Sequence, residues 1–265
     1  MPEGPECRIL TDYLTKTILN KTITNWVFCH GKYPDDYPPG YKLFDQKLPL
    51  LVTDIKCKGK FVYFILKDQE DIEHYILHYP KMTGKWQKNY DNYCKWYIEV
   101  NQKGETPKKQ TIWFSDSRGL GTVEFTDSKD ILNSKIDNLG PDIMKSEFKL
   151  PIFKEIIKNY STRNITAFLS DQEIISGCGN YIKSESLYYS KISPLRKVNT
   201  LTEKEIELLY ESLRIISRIS YNNMGIDKKS YYKSGLECKI YCKDNAIYAK
   251  TADGKTTYWD KKIQS

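Results

Sequence analysis

Position 2 of this chain is a proline, and a carboxylate stands directly behind it in Met1-Pro2-Glu3-Gly4-Pro5-Glu6. Removal of Met1, which the small Pro2 side chain permits, leaves a secondary amine at the terminus. An α-amine titrates around pH 8, well below a lysine, so a substantial fraction is unprotonated and nucleophilic at neutral pH. Attack by such an amine on a sugar C1′ gives an iminium with no N–H proton to lose. It remains a strong electron sink and acidifies the neighbouring C2′ proton, which is the first step of a lyase.

The elements that must position this pair follow at once. Leu10, Tyr13, Leu14 and Ile18 recur at helical spacing with Pro5 in the first turn, so a packed helix tethers the terminus. Between residues 22 and 126 the pattern turns to short β-branched and aromatic runs divided by Gly, Pro, Asn and Asp: 23–28, 51–55, 60–66, 96–100, 111–114 and 122–125. They predict a β-sandwich. The period changes near residue 150, where Phe153, Ile156, Ile157 and Tyr160 follow helical spacing; Ile206, Leu209, Leu213 and Ile216 do the same behind a capping box of Thr202 and Glu205. The expected class is α+β, with a β-sandwich domain over 1–143 and a second, helical domain over 144–265. Gly140-Pro141 marks the break between them, and helix is expected to continue to Gly225. Residues 238–242, 246–250 and 256–259 return to β chemistry around Asp253-Gly254, a strong hairpin signal, and predict a terminal ribbon packed through Ile240, Ile247, Tyr248 and Trp259.

Composition narrows the partner. The 265 residues are 40% hydrophobic without a run of 18 apolar residues, which excludes a membrane-spanning helix and predicts a soluble, intracellular monomer. The net charge of +7 is uneven: residues 1–140 hold 20 basic and 19 acidic side chains, whereas residues 141–265 hold 21 and 15. The basic excess in the second half suits phosphates, and a solvated lysine-rich surface would suit it equally. Seven mostly isolated cysteines read as reduced thiols.

Four further stretches carry chemistry. Leu169-Ser170-Asp171-Gln172 leads to Gly177-Cys178-Gly179-Asn180 and on to Glu185; the glycines allow tight turns and close approach to a phosphate, while the Asn180 amide and the following helix N-terminus offer donors. Lys56-Cys57-Lys58-Gly59-Lys60 is a basic turn before a strand, placing Lys60 at the sheet edge near the amino terminus. Lys81-Met82-Thr83-Gly84 and Asp116-Ser117-Arg118-Gly119-Leu120-Gly121 are turns between strands. Cys238-x3-Cys242 precedes Gly254-Lys255-Thr256-Thr257, with no second cysteine pair and no nearby histidine. Two thiolates cannot close a tetrahedral zinc site, so neither metal nor other cofactor is expected.

Together these motifs resemble those of the Fpg/Nei DNA glycosylases over nearly the whole chain, and most closely the Nei-like enzymes of eukaryotes and giant viruses whose finger lacks zinc. The resemblance implies a helix–two-turn–helix over about 150–220 and a zincless finger over about 231–265. It implies a bifunctional DNA glycosylase/AP lyase acting in base excision repair on oxidised pyrimidines and hydantoins in double-stranded DNA, with single strands as a further substrate. It places Pro2 as nucleophile, Glu3 as proton shuttle, and Lys60, Asn180 and Lys255 on phosphates; Lys255 takes the place of a finger arginine. Met82, Arg118 and Leu120 would fill the gap that a flipped nucleotide leaves, with Leu120 replacing a Phe and Gly119 a second Arg. The setting would be the nucleus or a viral replication compartment. The segment 222–227 is shorter than the family's Gly-rich loop. The rival reading is a lesion- or abasic-site-binding protein without turnover, suggested by the altered finger and wedge.

Overall fold

The computed structural model describes residues 2–101, 109–223, 238–244 and 246–265. They form two compact units of α+β class. One contains Pro2 and Cys7–Asp137; the other contains Glu3–Glu6 and everything from Asn138 onward. The first helix, α1 (Gly4–Ile18), thus starts in one unit and continues in the other, burying Leu10, Leu14 and Ile18 as its spacing requires.

The first unit is one antiparallel sheet of eight strands: β1 (Thr22–Phe28), β2 (Leu50–Lys58), β3 (Phe61–Lys67), β4 (Glu73–Tyr79), β5 (Lys85–Gln87), β6 (Cys94–Asn101), β7 (Lys109–Ser115) and β8 (Thr122–Thr126). Their order is β5-β7-β6-β1-β2-β3-β4-β8. The Trp26 ring of central β1 lies 5.1 Å from Phe125 on one edge strand and 6.0 Å from Trp86 on the other. The single sheet therefore curls until both ends share one aromatic core, and register shifts at Ile23/Asn25, Val52/Asp54 and Cys94/Trp96 supply bends. That is how the expected sandwich is built. Strand β4 escapes the sequence pattern because both its faces are covered, which removes the alternation that marks a strand. The short helices α2 (Tyr41–Lys47) and α3 (Lys129–Asp137) escape it too, each burying few side chains.

The second unit packs α4 (Leu150–Asn159), α5 (Ile165–Ser170), α6 (Asn180–Tyr189) and α7 (Glu203–Asn222) around Phe153, Phe168, Leu169, Leu209 and Leu213. Both halves of the Thr202/Glu205 capping box are formed. Helix α7 ends at Asn222; the expected continuation to Gly225, the short segment over 222–227 beyond Asn223, and residues 231–237 of the expected finger lie outside the described residues. Strands β9 (Ile247–Lys250) and β10 (Thr256–Trp259) form the ribbon about Asp253-Gly254, with Gly254 at φ +72°. Two expectations for the ribbon fail. Residues 238–242 form turns and not a strand, because Glu185 accepts the N–H groups of Lys239, Ile240 and Tyr241 that a ladder would need. Ile247 and Tyr248 are exposed, since they point to opposite faces of β9 and neither face is covered there; Ile240 and Trp259 do pack inside.

Beneath the loops that follow β4, His78 is buried and its protonation state can be read from its partners. Its Nδ1 lies 2.9 Å from the Thr122 carbonyl, and its Nε2 faces the Trp86 indole N–H at 3.3 Å. Nε2 is therefore the acceptor of a neutral ring. Burial pulls the pKa down to about 4, against smaller upward pulls from the Thr122 bond and the Asp116 charge. Below pH 6.5 the unfolded chain takes up a proton that the folded chain refuses until about pH 4, so stability falls with pH through that window and levels off beneath it. We expect this ring to account for about 3 kcal/mol between those limits. Denaturant unfolding of wild type and His78→Gln across this range checks it; parallel stability curves would refute it.

Candidate active site

Helix α1 opens with an exchange of caps. Glu3 precedes its first residue, and Glu6 three positions later accepts the Glu3 backbone N–H at 2.8 Å, the reciprocal half of a capping box. Glu3 does not cap its own helix. Its carboxylate is completely buried and accepts the N–H groups of Tyr181 (2.9 Å) and Ile182 (3.3 Å) in the first turn of α6, where a helix stabilises negative charge. The expectation that this helix N-terminus serves a phosphate is thereby corrected at two of its donors. Gly179 is the residue that permits it: a Cβ there would lie 2.2 Å from the Glu3 carboxyl carbon. Its backbone is extended, so close approach to Glu3, and not a tight turn, is its purpose; Gly177 is the one with the turn conformation, at φ +96°.

Glu6 is a residue that the sequence reading passed over. The Tyr181 and Ser220 hydroxyls both donate to it at 3.1 Å. Burial, with the charges of Glu6 and Glu3 added, raises the Tyr181 pKa well above its ordinary value, so the hydroxyl stays a donor. The signal was present in the Glu3-x-x-Glu6 spacing. Around Glu3 the second unit thus gathers Gly4, whose N–H donates to Gly177, together with Glu6, Gly179 and Tyr181.

Asn180 and Lys255 belong to the same unit. The Asn180 Nδ2 donates to the Thr256 carbonyl at 2.8 Å, joining the start of α6 to the ribbon. The exposed Lys255 sits in a turn fastened through its neighbour Asp253, which accepts Ser170 Oγ at 2.7 Å, Thr251 Oγ1 at 2.6 Å and the buried Lys183 ammonium. Burial lowers the Lys183 pKa although Asp253 pulls it upward; for Asp253, burial is outweighed by these donors and its pKa falls. Cys238 is buried while Cys242 is exposed, and His30, His74 and His78 belong to the first unit. Among the described residues no three His, Cys, Asp or Glu side chains gather as a metal site, and this donor set does not fit zinc.

In the first unit, Pro2 is half-buried, and Lys60 completes the two-residue turn from β2 to β3 after Gly59 at φ +56°. Strand β3 lies inside the strand order, so Lys60 stands at the end of an interior strand. Met82 is half-buried in the turn after β4, behind Lys81 at φ +58°, while Arg118 and Leu120 are exposed in the loop from β7 to β8. The structure brings these two loops together. Gly84 and Gly121 both abut the Phe114 ring, where added Cβ atoms would lie 2.5 and 2.8 Å away.

The comparisons converge on one family. The profile of the formamidopyrimidine-DNA glycosylase N-terminal domain matches residues 1–123, and that of the formamidopyrimidine-DNA glycosylase H2TH domain matches residues 139–228. The formamidopyrimidine-DNA glycosylase of Oceanobacillus iheyensis is 25% identical over 94% of this chain and 87% of its own. Endonuclease 8 of Pectobacterium carotovorum is 23% identical over 92% of this chain and 89% of its own. Among solved structures, MutM in complex with DNA containing carbocyclic 8-oxo-G is similar with a TM-score of 0.82 at 21% identity, covering the whole of both chains, which shows the fold. With both domains of one family matched in order along it, the chain belongs to the formamidopyrimidine-DNA glycosylase family, whose members are DNA-repair glycosylases with AP lyase activity.

Proposed function

We propose that this protein excises oxidised pyrimidines and hydantoins from double-stranded DNA through an iminium on Pro2, and then cuts the strand by β- and δ-elimination. The observation that carries the reading is the Glu3 carboxylate, one peptide bond behind Pro2, buried and held by the first turn of α6. A carboxylate fixed in this way beside a secondary amine is placed for general acid–base work. Pro2 nitrogen bonds to C1′ as the bond from C1′ to the base breaks, the base leaving with its electron pair and taking a proton from solvent; the Glu3 carboxylate then accepts the proton that the Pro2 nitrogen sheds and passes it to the ring oxygen as the sugar opens to the iminium. Loss of the acidified C2′ proton expels the adjoining phosphate, and a second elimination expels the other.

The remaining roles follow from residue chemistry. Lys60, Asn180 and Lys255 hold phosphates, and their positions in a turn, at a helix start and in a hairpin suit donors that reach a backbone. Lys255 offers a point charge where an arginine would offer a planar fork, so its contact is the less specific. Met82, Arg118 and Leu120 fill the space of the flipped nucleotide. The second unit comprises a helix–two-turn–helix and a zincless finger of the kind found in the Nei-like enzymes of eukaryotes and giant viruses. The protein works as a monomer in the nucleus or a viral replication compartment, and single strands are also cut. The pairing of Arg118 with an aliphatic Leu120 favours lesions that leave the stack readily.

Three outcomes are expected. Borohydride should trap the protein covalently on DNA carrying an oxidised pyrimidine, and an extra residue ahead of Pro2 should abolish both trapping and cleavage; a lesion-binding protein without turnover would bind and never be trapped. Glu3→Gln should slow base release by about 10²- to 10⁴-fold. It should slow cutting of a preformed abasic site far less, because there no base departs; equal losses would remove the role given to Glu3. Dialysis against a chelator should leave activity and the fold of the ribbon unchanged, whereas stoichiometric zinc whose removal abolishes activity and whose return restores it would overturn the zincless reading.

A further inference from the structure

Resting on the reading of Met82 and Arg118 as the side chains that fill the vacated stack, we infer that Thr83 and Asp116 clasp their two loops into a single wedge, making both of them positioning residues for excision in duplex DNA. Asp116 is completely buried at the end of β7. Its Oδ2 accepts the Gly121 N–H at 2.7 Å and its Oδ1 accepts the Arg118 N–H at 3.2 Å, which fixes the loop on either side of Leu120. The Thr83 hydroxyl joins from the other loop. It donates to Asp116 Oδ1 and accepts the Arg118 N–H at 3.1 Å, so one hydroxyl ties the residue after Met82 to the backbone of Arg118.

The surroundings leave this bond no slack. The Asp116 N–H donates to the Tyr93 carbonyl at 2.9 Å, and the Gly119 N–H returns to the Asp116 carbonyl at 3.2 Å. Gly84 and Gly121 press on the same Phe114 ring, which is itself stacked on Trp96 at 4.1 Å. Lys81, a non-glycine residue, holds φ +58°, a conformation that a loop keeps when its neighbours dictate it. A wedge whose two halves could drift apart would lose contact with the orphaned base, and displacements of about 1 Å at a reacting site can cost about a hundredfold. The clasp suppresses that drift.

The test is a cycle of variants read as the ratio of excision rates in duplex and single-stranded substrates, since only a duplex presents a vacated stack. Thr83→Val removes the hydroxyl at nearly constant shape and should lower the ratio about tenfold or more, Thr83→Ala should do likewise, and Thr83→Ser should restore it. In an Arg118→Ala background, Thr83→Val should have no further effect. If Arg118→Ala leaves the ratio unchanged, the wedge reading fails and the clasp with it. If Arg118→Ala lowers the ratio but Thr83→Val does not, or if the two losses multiply, the wedge reading stands and the clasp is refuted. Reading the ratio separates a loop effect from poor folding, which would depress both rates together.

Discussion

A buried carboxylate needs partners in place of the water it loses, and the meeting of Glu3 with the start of α6 supplies them. Two backbone N–H groups replace the water that burial removes, and they come from a helix end whose dipole favours the negative charge. The contact depends on Gly179, because any side chain at that position would occupy the space of the Glu3 carboxyl group. Glu6 completes the arrangement from the other side by accepting the Glu3 N–H, while Tyr181 and Ser220 hold Glu6 in turn. The position of the Pro2–Glu3 peptide is thus determined by α6 and α7 as much as by α1. This explains why a four-residue stretch, Glu3–Glu6, groups with residues more than 130 positions away.

How much of this could be read in advance depends on the range of each interaction. Local signals served well: apolar spacing located α1, α4 and α7, the Thr202/Glu205 spacing located a cap, and Asp253-Gly254 located the hairpin. Strand β4 was invisible because burial on both faces erased its period, and α2 and α3 because each buries only one or two side chains. The failure at Ile247 and Tyr248 has a different origin. Alternation says that a ribbon has two faces, but only tertiary packing says whether either is covered, and Ile247 and Tyr248, on opposite faces of β9, both meet solvent. For the candidate site, residue types pointed to Pro2, Glu3 and Asn180. The bonds that fix them join Glu3 to Tyr181 and Asn180 to Thr256, and no local pattern encodes such pairings.

The ribbon shows how a small element is held by the helix beside it. Two short strands expose much of their surface and gain little from pairing alone. Here further attachments to α6 supplement the bond from Asn180 to Thr256. Glu185 gathers three consecutive N–H groups from the turn at 239–241, the Ser184 hydroxyl accepts the Tyr258 N–H at 3.4 Å, and Lys183 meets Asp253 in a buried pair. Residues 183, 184 and 185 are consecutive, so one turn of one helix reaches both ends of the ribbon.

The buried pair is the least obvious of these attachments, because removing two charges from water often costs as much as their attraction returns. Its surroundings tip the balance. Asp253 accepts from Ser170 and Thr251 as well as from Lys183, so its lone pairs are satisfied without water, and the same carboxylate receives the Lys255 N–H at 3.3 Å. A hydrophobic pair of equal volume could pack as well, yet it would not orient the turn, since apolar contact has no direction. Hydrogen bonds do have direction. The consequence is that the backbone of Lys255 is oriented by α5 and α6 while its side chain remains exposed on a fixed base.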